Sequence, residues 1–223
     1  MRVILFALAC AAMLASGCIS LGQTAQPSGA NDTVSLSAIQ DMKDILRSGH
    51  AIEYVATYVV NYSLFGNSSA MNETYYMKAG NARVDVLDGN ISASVFKIGT
   101  NTYSCQPLGG NITCGLASAN VTEDTDLAAS LEANIDTYVV GKLPDRTIFG
   151  INAKCFQVGM RDGAASMPDV LKPDVVGNDV AFGYCFSSDG IPLEFWSPFS
   201  RMYITSLNRS VPDSAFALPA NPQ

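Results

Sequence analysis

The chain has 223 residues, of which 48% are hydrophobic and only 15% charged. That is enough apolar material for a substantial core, and it argues against disorder. Net charge is −7 at pH 7 and no run of Lys or Arg occurs anywhere, which speaks against nucleic acid as a partner.

Met1-Arg2 supplies a positive charge, and residues 3–14 form an unbroken apolar run. The run falls short of the about 20 residues a permanent membrane helix needs. It fits the core of a signal peptide over residues 1–17. Ala15-Ser16-Gly17 then leads into Cys18, a stretch that resembles the prokaryotic lipobox, with Ala15 where that motif prefers Leu. The resemblance implies a lipid on Cys18, which becomes the mature N-terminus; secretion without lipid, cleaved near Ser16 or Gly17, is the alternative. Loss of Arg2 with the leader takes the charge to −8. Residues 18–36, with Gly22, Pro27 and Gly29, read as the lipidated cysteine and a flexible tether. Residues 37–223 remain as a single domain, expected at the outer face of the cell membrane and anchored there by lipid.

Within that domain Ser37-Ala38-Ile39-Gln40 looks like a capping box. Ile39, Met42, Ile45 and Leu46 share a helical face, and Gly49 is placed to end the helix. Residues 52–63 alternate and are β-branched or aromatic, so they read as a strand; further strands are expected at 72–78, 82–87 and 91–98. Gly109-Gly110 is a two-residue hairpin turn between Cys105 and Cys114. It sets Leu108 opposite Asn111, Pro107 opposite Ile112 and Cys105 opposite Cys114. Alternation outward from the turn puts the cysteines on a non-hydrogen-bonded pair, with Cα atoms about 4.5 Å apart, which a disulfide spans. Pro107 falls on the same kind of site, where its missing N–H costs nothing. Cys10 leaves with the leader and Cys18 takes the lipid, so Cys155 and Cys185 pair by elimination, as an even cysteine count in an exported chain suggests.

Residues 123–138 switch to helix, with Leu127, Leu131 and Ile135 in register, acids in the first turns and Pro144 closing the region. Strands return at 146–158, 179–187, 191–197 and 201–208, with a Gly- and Pro-containing loop over 161–178. The fold class expected is α+β: a largely antiparallel, curved sheet, an incomplete barrel, covered on one face by an N-terminal helix and an inserted one.

Eight Asn-x-Ser/Thr sequons occur, at Asn31, Asn61, Asn67, Asn72, Asn90, Asn111, Asn120 and Asn208. They suggest an acceptor surface for N-glycosylation, with exposure expected above all at Asn90 and Asn111 beside turns. A lipobox together with many sequons suits an archaeal cell surface.

The stretch Tyr184-Cys185-Phe186-Ser187-Ser188-Asp189-Gly190-Ile191-Pro192-Leu193 resembles a strand, Gly-turn and Leu segment of the lipoprotein carrier superfamily, the LolA/LolB and LppX/LprG type. Ser210-Val211-Pro212-Asp213-Ser214-Ala215-Phe216-Ala217-Leu218-Pro219 is similar to its closing phrase. The order of elements over residues 37–219 agrees. The resemblance implies an incomplete barrel with helices over a hydrophobic cavity for acyl chains, and no catalytic residues. Two disulfides are not a general feature of that superfamily.

Chemistry-bearing motifs are few. His50, the one histidine, sits beside Gly49 at a helix end, and there is no Gly-x-Ser-x-Gly, no phosphate loop and no Cys-x-x-Cys, so neither enzyme, metal site nor cofactor is expected. Glu123-Asp124-x-Asp126 reads as helix N-terminal acids before a calcium site. Phe195, Trp196 and Phe199 read as core before a binding edge. Tyr54, Tyr58 and Tyr62 share one strand face. Tyr54, Tyr58, Leu127, Leu131, Ile135, Phe182, Tyr184 and Phe195 are the candidate cavity residues, with the inserted helix as a lid jointed at Gly115 and Gly141. Two functions stay open: a module that binds a lipid or other apolar ligand, and an envelope or protein-interaction domain with a filled core.

Overall fold

Apolar side chains three and four residues apart give residues 36–49 one face to bury, and the computed structural model folds Leu36–Gly49 as helix α1, burying Ile39, Met42, Ile45 and Leu46. The structure describes residues 36–64, 67–89, 91–117, 127–160 and 182–222. The leader, Cys18, the tether to residue 35, Asn31, Asn90, Asn120, the acids 123–126 and the 161–178 loop lie outside the described residues.

Six strands follow α1: β1 (Tyr54–Leu64), β2 (Asn67–Lys78), β3 (Asn81–Asp88), β4 (Ile91–Ile98), β5 (Asn101–Leu108) and β6 (Asn111–Leu116). Helix α2 (Leu127–Asn134) and a 3-10 turn (Ile135–Thr137) come next. Then come β7 (Tyr138–Ile148), β8 (Ile151–Met160), β9 (Phe182–Ser187), β10 (Pro192–Trp196) and β11 (Ser200–Asn208), with a last 3-10 turn at Asp213–Phe216. The strands make one antiparallel sheet in the order β6-β5-β4-β3-β2-β1-β11-β10-β9-β8-β7. Among the described residues edge strands β6 and β7 do not pair, so the barrel stays open. This is the α+β architecture that the resemblance implies.

Strand side chains alternate between faces, so register assigns each residue a side. Tyr54, Ala56, Tyr58 and Val60 of β1 share the inner face with Met202 and Ile204 of β11, Phe195 of β10, Tyr184 of β9 and Phe156 of β8. The helices pack on this face over β7–β9. Met42, Leu46, Phe156 and Phe186 are fully buried there. The outer face is covered at the opposite end of the sheet. Residues 211–220 cross β3–β6, and Leu218 and Ala220 pack on Phe96, Cys105 and Cys114. Arg83 ties this segment down: its Nη1 donates to the Ala215 carbonyl at 2.9 Å, while its guanidinium lies over the Tyr76 and Phe96 rings.

Four expectations need correction. The strand expected at 146–158 is two strands, β7 and β8, reversing at Phe149-Gly150, where Phe149 has φ 52°. Gly150 takes the positive φ of the turn readily, but Phe149 is not a residue that announces one. Pro144, taken as a terminator, lies inside β7 at a register irregularity between Leu143 and Arg146, where a missing N–H is tolerated. The helix expected to reach Tyr138 stops earlier, because Tyr138 opens β7. Gly115 and Gly141 are consequently not joints: each sits in a paired strand, opposite Ser104 and Gln157.

Candidate functional site

The inner face and its roof form the candidate site. Two apolar clusters occupy it. One gathers Leu131, Ile135, Phe182 and Tyr184 under α1 and α2. The other gathers Tyr54 and Tyr58 with Met71, Leu193, Met202 and Ile204. Phe195 packs against both. Its ring lies 4.9 Å from Tyr184 and 6.3 Å from Phe182, centroid to centroid, so an aromatic row runs along the inner face. Seven of the eight candidate cavity residues are therefore placed on one face, in two layers joined by Phe195. Leu127 begins α2, and its side chain lies outside the described residues.

The roof is fastened from outside by charge. Lys43 donates to Asp136 at 2.7 Å and Arg47 to Glu132 at 2.8 Å, while His50 Nε2 lies 2.9 Å from the other Glu132 oxygen. Burial works against charge on Glu132, but hydrogen bonds from Arg47 and His50 outweigh it, so its carboxyl sits below the ordinary glutamate value. His50 thus serves as a link between the two helices.

The hairpin between β9 and β10 closes one end. Gly190 (φ 90°) lies against the end of α1; a Cβ there would come within 2.4 Å of the Ile45 carbonyl and the Gly49 nitrogen. Only glycine permits that approach. The next residues deliver Leu193 to the inner face, and the Pro192 carbonyl accepts a 2.8 Å hydrogen bond from the Tyr58 hydroxyl.

Two polar groups on these strands escape sequence reasoning. Glu73 is 9% exposed on the inner face and accepts a 2.9 Å hydrogen bond from Tyr75, whose ring meets Tyr58 edge-on at 5.4 Å. Burial, then the nearby Tyr54 and Glu73, push the Tyr58 hydroxyl well above the usual phenol range. Burial and Glu73 do the same to Tyr75. Glu194, 5% exposed, lies on the outer face between Arg146 and Arg201, with Arg201 Nε donating at 2.8 Å. A charge in an alternating strand is the one signal that marks either glutamate, and it does not say which face is buried.

The outer face also holds both disulfides. Cys105 joins Cys114 in the register set by Gly109-Gly110, and Cys155 joins Cys185 across β8 and β9. Trp196 lies on this face, over Gly183 and under Arg146, whereas Phe195 points inward, so Phe195, Trp196 and Phe199 do not form one binding edge. Asn61, Asn72, Asn111 and Asn208 are exposed. Asn67 opens β2, with its side chain outside the described residues. An open depression of about 490 Å3 lies away from the candidate cavity residues, between the β1–β2 and β10–β11 hairpin ends.

No family model matches the chain, and no curated protein matches it. Solved structures do. MucB aligns at TM-score 0.52 and 16% identity, over 83% of this chain and 64% of that one. The MucA/MucB complex of Pseudomonas aeruginosa aligns at TM-score 0.53 and 14% identity, over 82% and 61%. LprF from Mycobacterium bovis aligns at TM-score 0.48 and 12% identity, over 84% and 99%. The chain spans about three fifths of the MucB chains it matches. At such identities the likeness to MucB is one of fold alone, over four fifths of this chain.

Proposed function

We propose that this domain is an extracytoplasmic lipoprotein that binds a lipid or another apolar ligand between its inner sheet face and α2. One observation carries the reading. The aromatic row of Phe182, Phe195 and Tyr184 is roofed in part by a helix of eight residues, Leu127–Asn134. A helix that short is not stable alone, so its place depends on the few contacts it makes. Displacing Leu131 and Ile135 exposes apolar surface suited to an acyl chain. The lipid on Cys18 holds the domain at the outer membrane face, and a Cys18→Ser chain leaves the detergent phase.

The test is a fluorescent fatty-acid titration of delipidated protein lacking residues 1–18. Saturable binding, weakened by Leu131→Trp, is expected. Absence of binding overturns the reading and leaves a second one: a protein-interaction domain. That reading is favoured by the fold shared with MucB, which has been solved in complex with MucA. Its measure is co-purification of a defined partner that survives a high-salt wash.

A further inference from the structure

We propose that Asn61, Asn72 and Asn208 carry N-linked glycans that make the outer face of β1, β2 and β11 a solvent-facing shield, with the Asn61 glycan seated in the open depression beside it. The proposal rests on the export reading above.

Register places the three on one face, two of them as neighbours. Asn72 lies opposite Val59, and Asn61 is two residues beyond Val59, so Asn61 and Asn72 are diagonal neighbours, roughly 7–8 Å apart. Asn208 lies opposite Val55 on the other flank of β1, six residues from Asn61, or about 20 Å along the strand. Val55, Val59 and Asn61 alternate with the buried Ala56, Tyr58 and Val60, so all three acceptors face away from the core. Each is exposed. In a strand the residue two positions on shares the face, so Ser63 and Thr74 stand beside their asparagines. Asn208 Oδ1 accepts from the Ser210 N–H at 3.0 Å, which leaves its amide nitrogen outward.

The surroundings suit sugars. Leu87, 49% exposed, stands opposite Asn72 on the same face, an apolar patch for a sugar ring to cover. Asn61 itself lines the depression of about 490 Å3, with Ser63, Ser68, Phe199 and Arg201 among its walls. Hydroxyls beside a phenyl ring match the polar edge and apolar face of a hexose. Asn111 is exposed as well, but at the β5–β6 hairpin, on the opposite parity and far from this face.

The step is a glycosyl transfer. The donor is a lipid-linked sugar phosphate of the exporting membrane. The asparagine Nδ2 forms a bond to the anomeric carbon as the carbon–oxygen bond to phosphate breaks. The phosphate leaves with the bonding pair, and Nδ2 gives up one proton to the transferase base. A consequence is that any protein partner is steered to the helix side or the sheet edges.

The experiment is glycopeptide mass spectrometry on protein purified from its own cells, with the N-terminal peptide read in the same run. Hexose-bearing peptides at Asn61, Asn72 and Asn208 are expected, each lost in its Asn→Gln variant. Amide exchange at residues 197–201 is expected to be several-fold slower in wild type than in Asn61→Gln. A processed N-terminus with unmodified asparagines overturns the glycan proposal alone. A retained leader with unmodified asparagines overturns the export reading and this proposal together. Modified Asn61 with unchanged exchange overturns the seat.

Discussion

The two ends of the sheet solve one problem in opposite ways. At the β7–β9 end two helices cover the inner face, and Phe156 is completely buried beneath them. At the β3–β6 end the chain's last described residues cover the outer face, and Phe96 is buried almost as fully beneath them. An open sheet cannot hide both faces by closure, so each end takes a cover made from a different part of the chain. The covers differ in kind. The helical one meshes through a regular stripe of side chains; the other is an irregular segment fixed by Arg83, Lys78 and a few apolar contacts.

That difference predicts unequal responses to equal damage. Phe156→Ala removes a ring from a packed helix–sheet layer and is expected to cost about 3–5 kcal/mol. Phe96→Ala removes the same ring from beneath a segment that resettles more easily, and its cost is expected at or below about 3 kcal/mol. Urea unfolding of both variants reads the difference. Equal losses break the comparison.

The disulfides sharpen it. Cys105–Cys114 closes a hairpin with a sequence separation of 9, while Cys155–Cys185 spans 30. On the chain-entropy account the two restrict the unfolded chain by about 2.6 and about 3.6 kcal/mol. Paired Cys→Ser replacement is therefore expected to lower stability more at 155/185 than at 105/114, by about 1 kcal/mol. A reversed order in the urea midpoints shows that the β5–β6 hairpin is held by its disulfide and hardly by the segment lying over it.

How far the fold was legible depended on how local its causes are. The Gly109-Gly110 turn fixed a register that holds from Leu108 to Cys105. The stripe of α1 named its own buried residues. The β7–β8 hairpin was hidden because its turn strains Phe149 into the left-handed region instead of using a turn-forming pair. Strands apolar on both parities, such as β1 with Val55 and Val59 half-buried outside and Tyr58 inside, could not reveal which face was inner. The burial of Glu73 and the cover over Phe96 depend on residues far along the chain, which no local pattern encodes. Of the candidate site, the aromatic members were legible as apolar strand residues, but their division into two clusters required the topology.

The smallest expected effect tests the fastening of the roof. Glu132 binds Arg47 and His50 across the two helices, and its carboxyl is held below the ordinary value. A lowered native value means the unfolded chain takes up the proton first, so the stabilisation is present above the unfolded value of about 4.3. It is lost as pH falls through the native value. With Arg47 largely in solvent, Glu132→Gln is expected to cost only about 0.5–1 kcal/mol at pH 7 and low salt. The gap between wild type and variant should close in acid below the native value, and narrow in high salt at pH 7 because exposed charges are screened. Urea unfolding at the two pH values measures both. A gap that persists in acid means that α2 is held at this position by packing, and that the charged link adds nothing to the roof over the aromatic row.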